Sequence, residues 1–276
     1  MSIITISRGT FSGGEKLAEC LAQKLGYKSI SREVLVEAAE KYGISLDKLV
    51  YAMESKPTIQ ERLSLNIDRF RYLSFIQAKL CEEARKDNIV YYGHAGHILL
   101  KDACPVIKVK VIASMEQRIV FAMERNKFSR EEAIAYIKKM DKYREKWTRF
   151  IYDINWNDPS IYDIVVNLKD TSIETACNII AFMTTVPEFR LSEFAKKNLD
   201  DLTLESQIKA KLASDDMTKD YITLKIIVND RNVKVSGRVK NTEISDRIKT
   251  IIEQTPGVKS VDCTCVSYYI NDDVIL

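Results

Sequence analysis

Along the N-terminal two thirds of the chain, short continuous apolar runs alternate with longer stretches whose apolar residues recur three and four positions apart. These are the marks of buried strands and amphipathic helices. Ile3-Ile4-Thr5-Ile6 predicts the first strand, and Glu15 to Leu25, after a polar stretch with three glycines, predicts the first helix. Further helices are expected at Ser31 to Tyr42, Ser45 to Glu54 and Thr58 to Lys86. Strands follow at Asn88 to Tyr92, Val106 to Ile112 and Tyr162 to Asn167, with helices at Met115 to Asn126, Ser129 to Trp147 and Ser172 to Thr184. Ser129-Arg130-Glu131-Glu132 has the capping-box pattern of a helix start. The βα alternation implies an α/β domain with a parallel sheet and flanking helices.

After Pro187 the pattern changes. Glu188 to Asp200 reads as a connecting segment, and a second set of elements begins: a helix at Leu202 to Leu212, alternating strands at Tyr221 to Val228 and Asn232 to Val239, a helix at Glu243 to Gln254, and a strand at Gly257 to Tyr268. The chain therefore divides into a domain over 1–187, a linker over 188–200 and a small α+β module of order α-β-β-α-β over 201–270. A length of 276 residues accommodates both cores.

Composition narrows the function classes. A net charge of +3 and the absence of any Lys/Arg block argue against polymeric nucleic acid as a partner. No apolar run approaches the roughly 20 residues of a membrane span, and Met1 to Ile6 is too short for a signal peptide, so a cytoplasmic protein with no transmembrane segment is expected. Six cysteines lie scattered without a Cys-x-x-Cys pair and read as reduced thiols. His94 and His97 lack a third ligand, so no metal site is assigned. A homo-oligomer is left open.

The chemistry lies in Ser7-Arg8-Gly9-Thr10-Phe11-Ser12-Gly13-Gly14, between the first strand and the first helix. Four residues separate Gly9 from Gly14, as in the first half of the phosphate loop Gly-x-x-x-x-Gly-Lys-Ser/Thr. The second half differs: Glu15 stands in the lysine position and Lys16 in that of the magnesium-binding hydroxyl. Loop amides at a helix N-terminus attract an anion without either side chain. Gly9, Ser12, Gly13, Gly14 and Lys16 are the candidate phosphate ligands, against a bare glycine turn that binds nothing.

Several motifs in order resemble the cytidylate kinase-like family over about residues 1 to 185. They are Ile4-Thr5-Ile6-Ser7-Arg8, Ser12-Gly13-Gly14, Ser31-Arg32-Glu33, the turn at Gly93, Ala113-Ser114 to Arg118, Asp141-Lys142-Tyr143-Arg144 and Trp156 to Asp163. The resemblance implies a P-loop kinase-like parallel sheet, ATP and Mg2+ as cofactors, a nucleotide as partner, and a mobile lid bearing arginines. Arg118, Arg125, Arg130, Arg144 and Arg149 crowd the lid segment. Lys16, Arg118, Arg144 and Asp141 are accordingly the candidate catalytic residues, since phosphoryl transfer depends on charge neutralisation. Solvated faces with local ion pairs are the alternative for these arginines. Arg32, Gly93, His94 and Asp163 are assigned to the acceptor; His94 stands where the family usually has arginine. Asp141, Asp158 and Asp163 all remain open as a general base.

The second module resembles the BON family through Leu204 to Leu212, Val233-Lys234-Val235-Ser236-Gly237-Arg238-Val239 and Thr255-Pro256-Gly257-Val258. A small ligand or a protein is the partner this implies, and a slight excess of acidic residues offers no attraction to anionic lipid. Three functions follow: an ATP-dependent phosphotransferase acting on a nucleotide or small-molecule acceptor, a nucleotide-binding sensor with weak chemistry, or an interaction protein working through the BON-like module.

Overall fold

A computed structural model describes residues 2–31, 33–54, 67–86, 88–93, 95–100 and 104–268. β1 (Ile3–Arg8) leads through the glycine loop into α1 (Gly14–Leu25), then β2 (Lys28–Ile30), α2 (Glu33–Tyr42), α3 (Leu46–Glu54) and α4 (Ile67–Ala84). The part of the expected helix at 58–66 lies outside the described residues. β3 (Ile89–Tyr92), α5 (Gly96–Leu99), β4 (Val106–Ile112), α6 (Met115–Asn126), α7 (Arg130–Tyr152), β5 (Ile164–Asn167) and α8 (Ile173–Met183) complete the domain. Its five strands are all parallel in the order β2-β3-β1-β4-β5. The alternation in the sequence required a parallel sheet, but β2 was not anticipated, because three residues are too few to show a period.

Both faces of this sheet are covered, which explains why β1 is apolar almost throughout. Ile4, Ile6, Val109 and Val111 pack against Leu17, Leu21 and Ile180 of α1 and α8 on one face. Ile3, Ile89 and Val106 pack against α2, α3 and α4 on the other. α6 and α7 form a helical pair with a small core of its own, in which Ile119, Ala122, Ala133 and Ile137 meet Phe11 of the glycine loop. Capping boxes at Ser114/Gln117 and Ser129/Glu132 start both helices.

α9 (Glu193–Ser214) is a single helix where a connecting segment and a shorter helix were expected. Ser192 caps it, its hydroxyl accepting from the amide of Ala195. β6 (Lys225–Asn229), β7 (Asn232–Val239), α10 (Thr242–Glu253) and β8 (Ser260–Tyr268) follow. β7 is central, antiparallel to β6 and parallel to β8, so the small sheet is mixed. Gly237 is at φ 142 beneath Leu224, whose Cδ2 would lie 2.7 Å from an added Cβ, and this close approach requires glycine. No helix among the described residues is long and apolar enough to cross a membrane.

The β6–β7 turn puts two non-glycine residues, Asp230 and Arg231, at positive φ, a conformation that costs free energy. The buried carboxylate of Asp201 on α9 offsets this by accepting from both turn amides, at 2.8 and 3.0 Å. Replacing Asp201 with alanine leaves two amides without their acceptor. The expected loss of about 2 kcal/mol is read as a lower urea midpoint for the module's unfolding transition.

Candidate functional site

The glycine loop is held open by its own side chains. The Gly9 amide donates to the carbonyl of Val111 at 3.3 Å. The Ser12 hydroxyl, 1% exposed, is shared between the carbonyls of Gly9 at 2.8 Å and Val111 at 3.2 Å. Gly13 takes φ 88 as the N-cap of α1, and no side chain caps the helix. The first amides of α1 therefore point out of the helix with no intrahelical acceptor. A Cβ at Gly13 would meet Leu168 at 2.9 Å and one at Gly14 would meet Arg8 at 2.9 Å. Only a bare backbone fits this cradle, which is the shape a phosphate group requires.

Behind the cradle, α7 clasps the loop. Oδ1 of Asp141 accepts from the amide of Thr10 at 2.9 Å and from its hydroxyl at 2.8 Å. Arg118 on α6 pairs with the other oxygen of Asp141 and donates through Nε to the Thr10 carbonyl at 2.7 Å. Arg144 donates to the Thr10 hydroxyl at 2.7 Å and lies 3.7 Å from Asp141. Thr10, absent from the sequence-based candidates, is thus the residue by which α6 and α7 hold the loop. Its signal was only its place between two glycines, since the partners come from 108 to 134 residues away.

A cleft of about 830 Å³ opens in front of the loop. Gly9, Ser12, Gly13, Gly14, Lys16, Gly93 and Arg144 all line it, whereas Arg118 and Asp141 sit behind the loop. Its far wall includes Ser31, Leu35 and Tyr91. Arg125 reaches across from α6 to pair with Glu15, and the Lys16 ammonium lies 4.8 Å from the centroid of Phe121. Glu15 holds the Arg125 guanidinium above its ordinary range. Asp163 is elsewhere: it accepts from the Lys108 amide at 2.8 Å and pairs with that lysine's ammonium at 3.3 Å, fastening the start of β5 to β4. Arg32 and His94 lie outside the described residues.

Lys110 was read only as part of an alternating strand, yet it is 5% exposed. Its ammonium lies 3.0 Å from the Trp156 ring centroid and donates to that residue's carbonyl at 3.1 Å. Trp156 and Tyr162 in turn donate to the Ser7 hydroxyl at 2.8 and 3.2 Å. Burial pushes Lys110 down to about 7, the Asp141 carboxylate opposing and the Arg144 and Arg118 guanidinium groups adding to the fall. Burial, with Lys110 and Lys108 nearby, likewise pushes His97 down to about 4. Lys108, on the same face of β4, stays 38% exposed; Lys110 is buried because Trp156 and Tyr162 cover it.

The cytidylate kinase-like family model matches residues 3–170 and the BON domain model matches residues 200–264. A cytidylate kinase of Sulfurisphaera tokodaii is 30% identical over 179 residues, covering 64% of this chain and 92% of that protein. A cytidylate kinase of Thermococcus kodakarensis is 28% identical over 166 residues, covering 60% and 78%. The crystal structure of an uncharacterized protein from Eubacterium ventriosum superposes with a TM-score of 0.51 at 24% identity, over 67% of this chain and 100% of the other. At that identity the superposition shows the fold alone.

Because its folded pKa is lowered, Lys110 binds fewer protons folded than unfolded between about pH 7 and 10.5. Stability rises with pH across that window and is reduced below it. Lys110→Met removes this dependence. In paired urea titrations the rise in stability of wild type between about pH 7 and 10 is expected to be absent in the variant.

Proposed function

The chain belongs to the cytidylate kinase-like family, and on that premise we propose that it moves the γ-phosphoryl group of ATP to the phosphate of a nucleoside monophosphate, with CMP the first acceptor to test. The observation that carries the reading is convergence: the bare cradle at the N-terminus of α1 and the side chains of Lys16, Arg125 and Arg144 face one cleft large enough for two nucleotides to meet. The donor phosphates lie on the cradle, and the acceptor lies against the wall that carries Ser31, Leu35, Tyr91 and Gly93. Arg32 and His94, adjacent to that wall in sequence, are its proposed acceptor-side ligands.

In the transfer, the bond from the γ-phosphorus to the β-bridging oxygen breaks, and a bond from the γ-phosphorus to an acceptor phosphate oxygen forms. A phosphate monoester with a second pKa near ~6 is already largely ionised at pH 7. No general base is needed, and Asp141, whose oxygens are engaged by Thr10 and Arg118, serves as a positioning residue. Arg144 follows the loop through Thr10 and faces the phosphoryl group in flight. A bound Mg2+ would supply charge neutralisation for the phosphates. Glu19 and Glu124, which line the cleft with oxygens of the kind it takes, would hold it.

Glu15 in the lysine position places a carboxylate at the mouth of an anion site, and Arg125 restores the balance. Its planar group can hold Glu15 and a phosphate oxygen at once. Because Gly13 cannot accept a side chain without strain, Glu15 and Arg125 are the positions to vary. Arg125→Ala is expected to weaken MgATP binding about tenfold in calorimetry, and Glu15→Gln/Arg125→Ala to remain weak. Recovery in the double variant would mean that Arg125 only neutralises Glu15.

A second reading, a sensor that binds the nucleotide without turning it over, is favoured by the same displaced loop residues. Incubating the protein with MgATP and a panel of nucleoside monophosphates separates the two: a nucleoside diphosphate product from CMP is expected. Binding without transfer to any acceptor leaves the sensor reading standing.

A further inference from the structure

α9 belongs to two cores. Leu204, Ile208 and Leu212 lie in the core of the C-terminal sheet, whereas Leu199, Ala210 and Ala213 lie in that of the N-terminal domain. Polar ties run from α4 and the residue after it to α9. Nε of Arg85 meets the Asp200 carboxylate at 2.6 Å, Nε2 of Gln207 donates to Glu82 at 2.8 Å, and Nε of Arg71 donates to the Ala213 carbonyl at 3.0 Å. Glu82 also receives Lys41, near the end of α2, and α2 supplies Leu35 to the wall of the cleft. The cleft wall, α4 and the C-terminal module therefore meet at one carboxylate. On its other side α9 grips the β6–β7 turn through Asp201.

We propose that the C-terminal module braces the acceptor wall of the cleft, with Glu82 and Gln207 as positioning residues that fix how α2 lies against it. The proposal rests on reading the Ser31 and Leu35 side as the acceptor side. α4 is packed between α2 and α3 on one flank and α9 on the other. Close-packed interiors transmit a displacement instead of absorbing it, and a continuous helix moves as a lever. Movement of the module is carried by α9 to α4, and Glu82 passes it to Lys41. The coupling is reciprocal: an acceptor that draws α2 inward tightens the module in turn.

Gln207→Glu sets a second carboxylate against Glu82 and drives α9 and α4 apart, and Glu82→Gln/Gln207→Glu exchanges the pair and restores one hydrogen bond. Two readouts on the full chain decide: hydrogen exchange of the α2 amides, and steady-state turnover. In Gln207→Glu, α2 is expected to exchange about fivefold faster and the acceptor KM to rise by about the same factor. ATP affinity and kcat are expected within about twofold of wild type; the double variant regains the α4–α9 hydrogen bond but not the ion pair with Lys41, so α9 should recover its protection while α2 stays fast. Unchanged exchange in α2, an acceleration spread equally over α1 and α8, or an acceptor KM that does not move would each overturn the brace. If wild type phosphorylates no nucleoside monophosphate, the phosphotransferase reading fails by itself, and the exchange pattern still decides the brace.

Discussion

The carboxylate of Asp141 joins the glycine loop to the helical pair α6–α7, and the geometry of the cleft depends on that junction. One oxygen accepts from two groups of Thr10 and the other from Arg118, while Arg144 reaches the same threonine. Each group fixes another: the loop cannot rotate without breaking the carboxylate's bonds, and Arg144 cannot swing into solvent without leaving Thr10. A half-buried carboxylate surrounded by donors and cations is costly to strip of any one of them, because the charges left behind stay desolvated. The clasp thus pre-organises the loop backbone and the Arg144 guanidinium on one cleft.

With the backbone held, the loop can depart from the usual side-chain chemistry and keep its shape. The amides at the start of α1 and the absence of Cβ atoms at Gly13 and Gly14 do not depend on residues 15 and 16. The cation of the missing lysine is redistributed to Arg125, which crosses the cleft to Glu15. Such an exposed pair contributes little to stability by itself. Its consequence is electrostatic, since it cancels a negative charge at the mouth of the cleft.

At the other end of the molecule, α9 ties the two cores together. Its residues alternate between them: Leu199, Ala210 and Ala213 face α4, and Leu204, Ile208 and Leu212 face the small sheet. Only Ala195 and Leu199 are buried in its first turns, too few apolar positions to show a period, which is why they read as a connecting segment in the sequence. Its N-cap at Ser192 was present there, but nothing local distinguishes a helix docked on a second domain from a tether.

The sequence by itself determined the βα order, the parallel sheet, the strand-loop-helix setting of the glycine cradle and the α-β-β-α-β order of the second module. These follow from local periodicity and from glycines placed where a Cβ would meet neighbouring atoms. The family resemblance was equally legible, because its motifs are contiguous. Only the tertiary structure decided which groups meet: that Asp141 holds Thr10, that Asp163 fastens β5 to β4 away from the cleft, that Arg125 answers Glu15, and that Lys110 is buried against Trp156. The physical reason is that a side chain's charge state and partners depend on what covers it. For these residues the cover comes from segments distant in the chain, brought together by packing that periodicity does not encode.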